Sequence, residues 1–454
     1  MLLKNIENMA VLIKNGSIVN EGTIVIADVL IDKGIIVKIG QNLSSIGVTK
    51  VVDATGKYLL PGAIDDQVHF REPGLTHKAD IYSEAKSAVA GGVTSFMEMP
   101  NTVPATTTID LLEQKYSRAA EVSLANYSFF MGTTNNNLEE LLKVDASKVC
   151  GVKIFMGSST GDMLVDNAVA LEKIFTQVKT LIALHCEDDP MVKENLEKFK
   201  AEFGDSLAAK HHPAIRSEEA CYKSSSFAVA LAKKCGTRLH ILHISTAKEL
   251  DLFQNNIPLK DKKITAEACI HHLWFSEEDY ASKGNYIKWN PAVKKATDRD
   301  AILQAVLDDR IDVIATDHAP HTIAEKEQSY LLAPSGGPLL QHSVVTMLEM
   351  YHQGKISLEK IAQKMAHNVA DLFRIQNRGY VREGYAADLV LVDLNNPWTV
   401  SKENVLSKCG WSPFEGFTFR SKVIQTYVSG HLVYDHGQFD ESVKGERLLF
   451  NVDK

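Results

Sequence analysis

The sequence predicts a (β/α)8 barrel of the TIM type, together with a small β-sandwich domain that both ends of the chain build. Eight short apolar runs rich in Val, Ile and Leu alternate with helical patterns in the middle of the chain, as in a parallel sheet covered on both faces. Eight such units favour a closed barrel over an open doubly wound sheet. The 454 residues suffice for one barrel and an accessory domain.

The two ends of the chain share a β-rich texture. Residues 1–57 contain short Ile- and Val-rich runs broken by Asn-Gly and Lys-Gly, and residues 381–454 repeat that pattern. We therefore expect the chain to leave the sandwich, to build the barrel over residues 58–380 and then to return.

The barrel strands are predicted within LLPGAID, GVTSFMEM, ANYSFFMG, CGVKIFMG, TLIALHCE, RLHILHIS, KITAEACI and IDVIATDH. Helical patterns lie between most of them, for example over residues 107–122, 167–179 and 217–235. No glycine pair is followed by GxGxxG or GxxxxGK[ST], which disfavours a nucleotide-binding loop.

The composition is that of an ordinary globular protein, with 45% hydrophobic and 23% charged residues. A net charge of −8 and the lack of basic runs argue against nucleic-acid binding. No apolar stretch reaches the roughly 20 residues that a membrane helix needs, and the N-terminus has no signal-peptide core. The six cysteines form no CxxC pair, which favours reduced thiols. We expect a cytoplasmic protein with no nucleic-acid or membrane partner.

Polar side chains follow the carboxyl ends of several predicted strands, the face on which barrel active sites lie. They are His69, Arg71, Asn101, Lys153, His185, His243, Asp317 and His321. A single histidine in an apolar strand is more often structural, but five strands that deliver His, Lys or Asp to one rim predict a metal site. Imidazole and carboxylate donors without thiolates suit Zn²⁺, Mn²⁺ or Co²⁺.

Lys153 is unusual in such a site, because an ammonium group repels a cation. One interpretation is a salt bridge to a carboxylate on the rim. The other is a desolvated, neutral lysine that reacts with CO2 to form a carbamate, whose two oxygens bridge two metal ions.

Several motifs together resemble the dihydroorotase family of the amidohydrolase superfamily, over nearly the whole chain. They include PGAIDDQVHFREPG, MPNT, GVKIFMG, LHCED, HIST, KWNPAVK and IATDHAPH. The resemblance implies a hydrolase of cyclic amides that interconverts L-dihydroorotate and N-carbamoyl-L-aspartate in pyrimidine (UMP) synthesis. It also implies Zn²⁺ as cofactor, as one or two ions, and a homodimer.

The resemblance implies a role for each rim residue. His69 and Asp317 would bind one metal ion and His185 and His243 the other, with Lys153 as the carbamylated bridge. Asp162 is the alternative bridging ligand, although VKIFM fits the lysine version better. Asp317 would serve as general base and then general acid. The residues implied in substrate binding are Arg71, Asn101, Asn290, His321, Gly336 and Gly337.

Two departures from the family pattern keep other interpretations open. Gln67 stands where the family has a histidine, and GGPLLQHSV replaces its Gly-Leu-Glu-Thr. A glutamine is a weaker ligand than imidazole, so we expect a weakly bound metal beside Gln67 and a full site at His185, His243 and Lys153. The alternatives are a hydantoinase or allantoinase, which needs no carboxylate clamp, and a catalytically silent partner subunit.

Five further polar residues have simpler interpretations. Glu187 is expected to orient His185 through a hydrogen bond. The pair at positions 271 and 272 is interpreted as packing near the rim, and the pair at positions 211 and 212 as surface histidines in a polar loop.

Overall fold

The computed structural model describes residues 10–157, 163–165 and 167–452. Asp162, the alternative bridging ligand, lies outside the described residues. The described chain forms a parallel barrel and a mixed sheet built from both ends, as the sequence predicts.

The sheet of the two chain ends has nine strands. They are β1 (Val11–Asn20), β2 (Thr23–Asp32), β3 (Ile35–Gly40), β4 (Lys50–Asp53), β5 (Tyr58–Pro61), β15 (Leu389–Asp393), β18 (Lys422–Val428), β19 (His431–Asp435) and β20 (Gln438–Phe439). The order is β20-β19-β18-β15-β5-β1-β2-β3, with β4 also paired to β1. Because β5 pairs with both β1 and β15, the N-terminal part of this sheet extends to Pro61.

The Asn-Gly and Lys-Gly pairs near the N-terminus, both predicted to break a strand, adopt different structures. Lys33 and Gly34 both have positive φ, 50° and 81°, and form the turn between β2 and β3. Asn15 and Gly16 instead lie inside β1 at a shift of register against β2. Asn15, with φ of 60°, donates its backbone N–H to Asp28 Oδ1 at 2.9 Å, so the strand continues through a bulge.

The barrel strands follow one another in chain order. They are β6 (Ala63–Val68), β7 (Val93–Glu98), β8 (Asn126–Phe129), β9 (Met131–Gly132), β10 (Val152–Met156), β11 (Ile182–Cys186), β12 (Leu239–Ile241), β13 (Ile264–Cys269) and β14 (Val313–Ala315). The third predicted strand is divided at Phe130 into β8 and β9, and all pairs are parallel. A parallel bridge between Val68 and His318 joins the first strand to the end of the last and closes the barrel.

The helices lie outside the barrel strands. They are α1 (Ile81–Ala90), α2 (Ile109–Val122), α3 (Leu138–Leu141), α4 (Ala168–Gln177), α5 (Asp189–Phe203), α6 (His212–Ile215), α7 (Glu218–Cys235), α8 (Ile270–Trp274), α9 (Tyr280–Lys283), α10 (Ala296–Leu307), α11 (Ile323–Lys326), α12 (Ser343–His352), α13 (Leu358–Ala362) and α14 (Asn368–Phe373). A short antiparallel pair, β16 (Trp398–Thr399) and β17 (Thr418–Phe419), lies apart from both sheets.

The three helices predicted by pattern begin at side-chain caps. Thr108, Asn167 and Ser217 each accept a backbone N–H from the first turn of α2, α4 and α7. Such caps satisfy donors that the helix leaves unpaired. The predicted and observed helix ends therefore agree to within two residues.

The end of the chain packs against the barrel. Gly445 donates its backbone N–H to Ser123 O at 2.9 Å, and the Arg447 guanidinium lies 3.4 Å from the centroid of the Tyr116 ring. Arg447 also forms an ion pair with Glu113 at 2.8 Å. The last residues thus tie the sheet of the chain ends to the outer helices.

Candidate active site

His69 emerges from β6 at the carboxyl end of the barrel, and its ring is held on both sides. Nε2 lies 3.2 Å from Asp317 Oδ1 and Nδ1 lies 2.7 Å from Asn101 Oδ1. The backbone N–H of His69 donates to His318 O at 2.7 Å. Burial, and then the charge of Arg71, hold the pKa of His69 well below its usual value. The ring is therefore neutral, as a metal ligand must be.

Asp317 follows β14 and is buried beside His69. Burial raises the pKa of its carboxyl group to about 7, although His185 and Lys153 oppose the shift. The Gln67 side chain donates from Nε2 to Asp317 Oδ1 at 3.3 Å, while its Oε1 lies 3.7 Å from Cys269 Sγ. In this arrangement Gln67 is a hydrogen-bond donor to Asp317, and its amide oxygen faces away from it.

His185 and His243 meet at the ends of β11 and β12. His185 Nδ1 lies 3.0 Å from His243 Nε2, and His185 Nε2 lies 3.0 Å from Glu187 Oε2. Glu187 is also paired with Arg216. Although burial opposes it, the charge of Arg216 and the hydrogen bond from His185 lower the pKa of Glu187 to about 2. The ionised carboxylate thus fixes the orientation of His185, the role predicted for Glu187.

Lys153 lies on β10 and is almost completely buried. Its Nζ has no hydrogen-bond partner among the described residues and lies 4.6 Å from the centroid of the Phe155 ring. Burial lowers the pKa of Lys153 to about 7, although Asp317 opposes the shift. The predicted salt bridge to a rim carboxylate is absent from the ion pairs of the described residues.

The donors in this region are of the types that bind a divalent cation. Burial lowers the pKa of His185 and His243 as well as that of His69, so all three imidazoles are neutral and can offer a lone pair to a metal ion. His243 Nδ1, like Lys153 Nζ, has no hydrogen-bond partner among the described residues. We call the five residues that we expect to hold a metal ion the metal centre: His69, Lys153, His185, His243 and Asp317.

Arg71 and His321 lie side by side next to the metal centre. Arg71 donates from Nε to Pro320 O at 3.0 Å, and its Nη2 lies 3.0 Å from His321 Nε2. Lys78 Nζ lies 3.1 Å from the other ring nitrogen of His321. Burial lowers the pKa of Arg71 to about 10, which still leaves the guanidinium charged at neutral pH. Burial and the charge of Arg71 hold the pKa of His321 well below its usual value, so Arg71 supplies the positive charge of this pair at one wall of the site.

The backbone at three of these positions is left-handed. Arg71, His243 and Asp317 have φ of 70°, 40° and 49°. Residues other than glycine avoid this region, so the surrounding contacts hold the rim in a strained conformation.

The two glycines after the last strand allow a close approach to aromatic rings. A Cβ on Gly337 would lie 2.8 Å from atoms of both Trp289 and Trp411. Gly336 has φ of 124°, and a Cβ there would lie 2.5 Å from Ala319 O. Asn290, next to Trp289, has a buried Oδ1 with no hydrogen-bond partner among the described residues.

One expectation about histidines is wrong. His212 is buried, not on the surface: its Nδ1 lies 2.8 Å from Tyr330 Oη and its Nε2 lies 2.7 Å from Trp289 O. The short helix α6 directs this ring into the interior. The polar residues before it in the sequence are typical of an exposed loop, so the burial could not be predicted from them. His271 stacks on Trp289 with ring centroids 4.5 Å apart, in agreement with a packing role.

Two contacts of the metal centre were not anticipated. Arg216 holds Glu187, and the Glu267 Oε1 atom accepts the backbone N–H of His243 at 2.9 Å. Glu267 carries a signal in the sequence, since it is a carboxylate inside an apolar strand, KITAEACI. Arg216 precedes a helix and looks like an ordinary surface arginine.

The sequence profile of the Amidohydrolase family matches residues 58–433, most of the chain. The chain belongs to the amidohydrolase family. Two curated relatives are named dihydroorotase. That of Halobacterium salinarum is 33% identical over 87% of this chain and 92% of that protein. That of Carboxydothermus hydrogenoformans is 34% identical over 94% of this chain and 98% of that protein.

Solved structures of other amidohydrolases have the same fold. The L-hydantoinase (dihydropyrimidinase) from Arthrobacter aurescens has a TM-score of 0.90 at 26% identity, over 95% of this chain and 97% of that one. The dihydropyrimidinase from Brevibacillus agri has a TM-score of 0.88 at 25% identity, over 98% and 100%.

These relatives confirm the predicted family and the predicted fold class, a TIM-type barrel with a β domain. The amidohydrolase family is generally metal-dependent, in agreement with the donors of the metal centre. No described helix is long and apolar enough to span a membrane. The homodimer and the cytoplasmic location stay predictions.

Replacing Gln67 with histidine is expected to tighten metal binding beside His69 and Asp317. A second imidazole on the same strand face adds a nitrogen donor that the amide does not provide. We expect at least about a tenfold gain in affinity, the lower end of what changes around metal ligands produce. Metal content after titration with a chelator measures it, with Gln67→Asn as the control. Identical chelator curves for the wild type and Gln67→His would contradict the prediction.

Proposed function

We propose that this protein is a dihydroorotase, which interconverts L-dihydroorotate and N-carbamoyl-L-aspartate. The observation that carries this proposal is the buried, charged Arg71 beside the metal centre, placed to receive a carboxylate. The names of the curated relatives, at 32–34% identity over 87–94% of the chain, support it.

The cofactor in this proposal is Zn²⁺, held by the metal centre. Lys153 would be present as a carbamate, formed when its neutral amine attacks CO2. The N–C bond forms, the electron pair of one C=O π bond moves to oxygen, and the nitrogen releases one proton. Burial supports this, because a pKa near 7 leaves much of the amine unprotonated at neutral pH. Nζ has no hydrogen-bond partner among the described residues, so no hydrogen bond there has to be broken for the amine to react.

A metal ion held by these residues would lower the pKa of the attacking water and place positive charge at the amide carbonyl. Asp317 would take a proton from the attacking water and then deliver it to the leaving ring nitrogen, as general base and general acid. Its hydrogen bond from Gln67 and its contact with His69 fix the direction of the carboxylate. Burial of the whole centre excludes bulk water from these proton transfers.

The substrate carboxylate would bind at Arg71. A planar guanidinium pairs with a carboxylate through two parallel hydrogen bonds, and the bond from Arg71 Nε to Pro320 O fixes the plane of the group. We include Asn101 and His321 in this clamp, with Asn290, Gly336 and Gly337 at the ring amide. Asn101 has a second contact, because its Oδ1 already faces His69.

A cyclic-amide hydrolase of the hydantoinase type is the second candidate. The similarity in structure to the hydantoinase and dihydropyrimidinase favours it. Such substrates carry no carboxylate at the position that Arg71 would bind, so Arg71 separates the two candidates. The third interpretation, a silent partner subunit, requires that the purified, metal-loaded protein has no turnover.

Replacing Arg71 with alanine tests the proposal. We expect kcat/KM for dihydroorotate to fall about 100- to 1,000-fold, since two charge-assisted hydrogen bonds are lost. Turnover of dihydrouracil, which lacks the carboxylate, is expected to change little. The matched control is Arg118→Ala, which removes an exposed arginine paired with Glu72.

Three results would contradict this assignment. An equal loss toward both substrates would place Arg71 in the general structure of the site. Faster wild-type turnover of dihydrouracil than of dihydroorotate would favour the hydantoinase type. No turnover of either substrate with metal fully loaded would favour the silent subunit.

A further inference from the structure

A second group of metal-ligand side chains lies inside the barrel, and none of its members belongs to the metal centre. Asp66 on β6, His240 on β12 and Glu267 on β13 bring one donor atom each within 4.8 Å of one another. We call these three residues the inner cluster. Asp66, His240 and Glu267 are each 0% exposed, so bulk water does not solvate their charges.

The spacing of the donor atoms is that of ligands around one ion. His240 Nε2 lies 3.1 Å from Asp66 Oδ2 and 3.8 Å from Glu267 Oε2. Donors that bind one tetrahedral ion at about 2.1 Å lie about 3.4 Å apart. The two measured distances lie on either side of that value, so small shifts of the side chains would bring all three donors onto an ion.

The orientation of His240 is fixed from its far side. Nδ1 lies 2.8 Å from Thr265 Oγ1, and that hydroxyl donates to Leu239 O at 3.3 Å. With its proton used there, the hydroxyl accepts from Nδ1–H of His240. Although burial opposes the shift, Asp66 and Glu267 raise the pKa of His240 to about 9, so an ion that binds Nε2 would displace a proton from it. The contact of Nδ1 with Thr265 holds the ring in the way that metal-bound histidines are held.

The atoms that face one another in the inner cluster make no hydrogen bonds. Among the described residues, both carboxylate oxygens of Asp66, His240 Nε2 and Glu267 Oε2 have no hydrogen-bond partner. Buried polar atoms without partners are costly, and the two carboxylates repel each other. A protonated His240 supplies one positive charge to the group, and a divalent cation bound between the three donors would supply two.

Glu267 also contacts the surroundings of the metal centre. Its Oε1 accepts the backbone N–H of His243 at 2.9 Å and lies 3.1 Å from Cys269 Sγ. The second oxygen, Oε2, is thereby directed at His240. Cys269 in turn contacts Gln67, so the inner cluster lies directly beneath the metal centre.

We propose that the inner cluster binds a divalent cation, Zn²⁺ or Mn²⁺, as a site separate from the metal centre. One imidazole and two carboxylates are donors that both ions accept. The ion would link three barrel strands and fix Glu267 beneath His243. This proposal does not depend on the reaction that the metal centre catalyses.

Anomalous diffraction tests the site directly. Crystals of the wild-type protein grown with ZnCl2, and separately with MnCl2, are measured at the absorption edge of each metal. We expect a peak between Asp66, His240 and Glu267, apart from any peak at His185 and His243. Peaks confined to the metal centre in both data sets would overturn the proposal, whatever the enzyme's activity.

Metal counting on a variant gives a second measurement. Asp66→Asn keeps the shape of the side chain and removes its charge, and we expect it to retain about one Zn²⁺ per chain fewer than the wild type after gel filtration. The matched control is Asp65→Asn, the adjacent buried carboxylate, whose Oδ1 accepts backbone N–H groups from Gln67 and Thr316. Equal zinc content in the wild type and Asp66→Asn would overturn the proposal. If Asp66→Asn does not fold, the wild-type diffraction experiment decides alone.

Discussion

Replacing Asp317 with asparagine is expected to lower kcat/KM for dihydroorotate by about 10²- to 10⁴-fold, the range for loss of a general acid–base group. The amide matches the carboxylate in size but does not take the proton of the attacking water. It also removes the negative charge that faces His69 at 3.2 Å, so we expect weaker metal binding on that side. Steady-state kinetics with metal analysis of the same samples separates the two effects.

The control for Asp317 lies at the other end of the same strand. Asp312 is buried next to β14 and pairs with Lys262 at 2.6 Å, remote from the rim. Asp312→Asn is expected to affect the free energy of unfolding more than the rate. If Asp317→Asn retains wild-type kcat/KM at full metal occupancy, another group moves the proton.

Replacing Lys153 with methionine is expected to lower turnover more than about 100-fold, the upper end of the effect of altering the surroundings of a metal ligand. Methionine fills a similar volume but forms no carbamate, so bound metal should fall together with activity. In the wild type, ¹³C-bicarbonate is expected to give a carbamate signal in the NMR spectrum that Lys153→Met lacks.

The matched control for Lys153 is another buried lysine. Lys364 is equally buried but pairs with Asp309 at 2.8 Å, and Lys364→Met should leave the carbamate signal in place. Short carboxylic acids are expected to restore part of the activity of Lys153→Ala, because they return a carboxylate to the vacated space. Full activity of Lys153→Met without added acid would contradict the bridging role.

The barrel could be predicted because its strands are buried on both faces and therefore read as continuous apolar runs. The strand order of the nine-stranded sheet was harder to predict from the sequence. Its strands come from two distant parts of the chain, before and after the barrel, and pair with one another. The same kind of dipeptide can also form two different structures. Asn15-Gly16 and Lys33-Gly34 look alike in sequence, but the contact of Asn15 with Asp28 makes one a bulge and the other a turn.

The position of the predicted ligands at the rim could be read from the sequence, because parallel strands bring their carboxyl ends to one face of the barrel. Their partners could not. Arg216 reaches Glu187 from the loop before α7, and only the packed structure joins the two. His212 is similar: its burial depends on Tyr330 and Trp289, which lie far away in the sequence. The inner cluster was not predicted either. Asp66 and His240 lie three residues before His69 and His243, and the sequence pattern points only to those two as ligands.

The left-handed backbone at Arg71, His243 and Asp317 has a consequence for attempts to stabilise this protein. Each such residue costs about 1–2 kcal/mol relative to a relaxed backbone, so glycine at these positions would relieve conformational energy. It would also delete a side chain that the proposed mechanism requires. Thermostability and catalysis therefore compete at the same three residues, and stabilising substitutions are best sought in the outer helices and the terminal sheet.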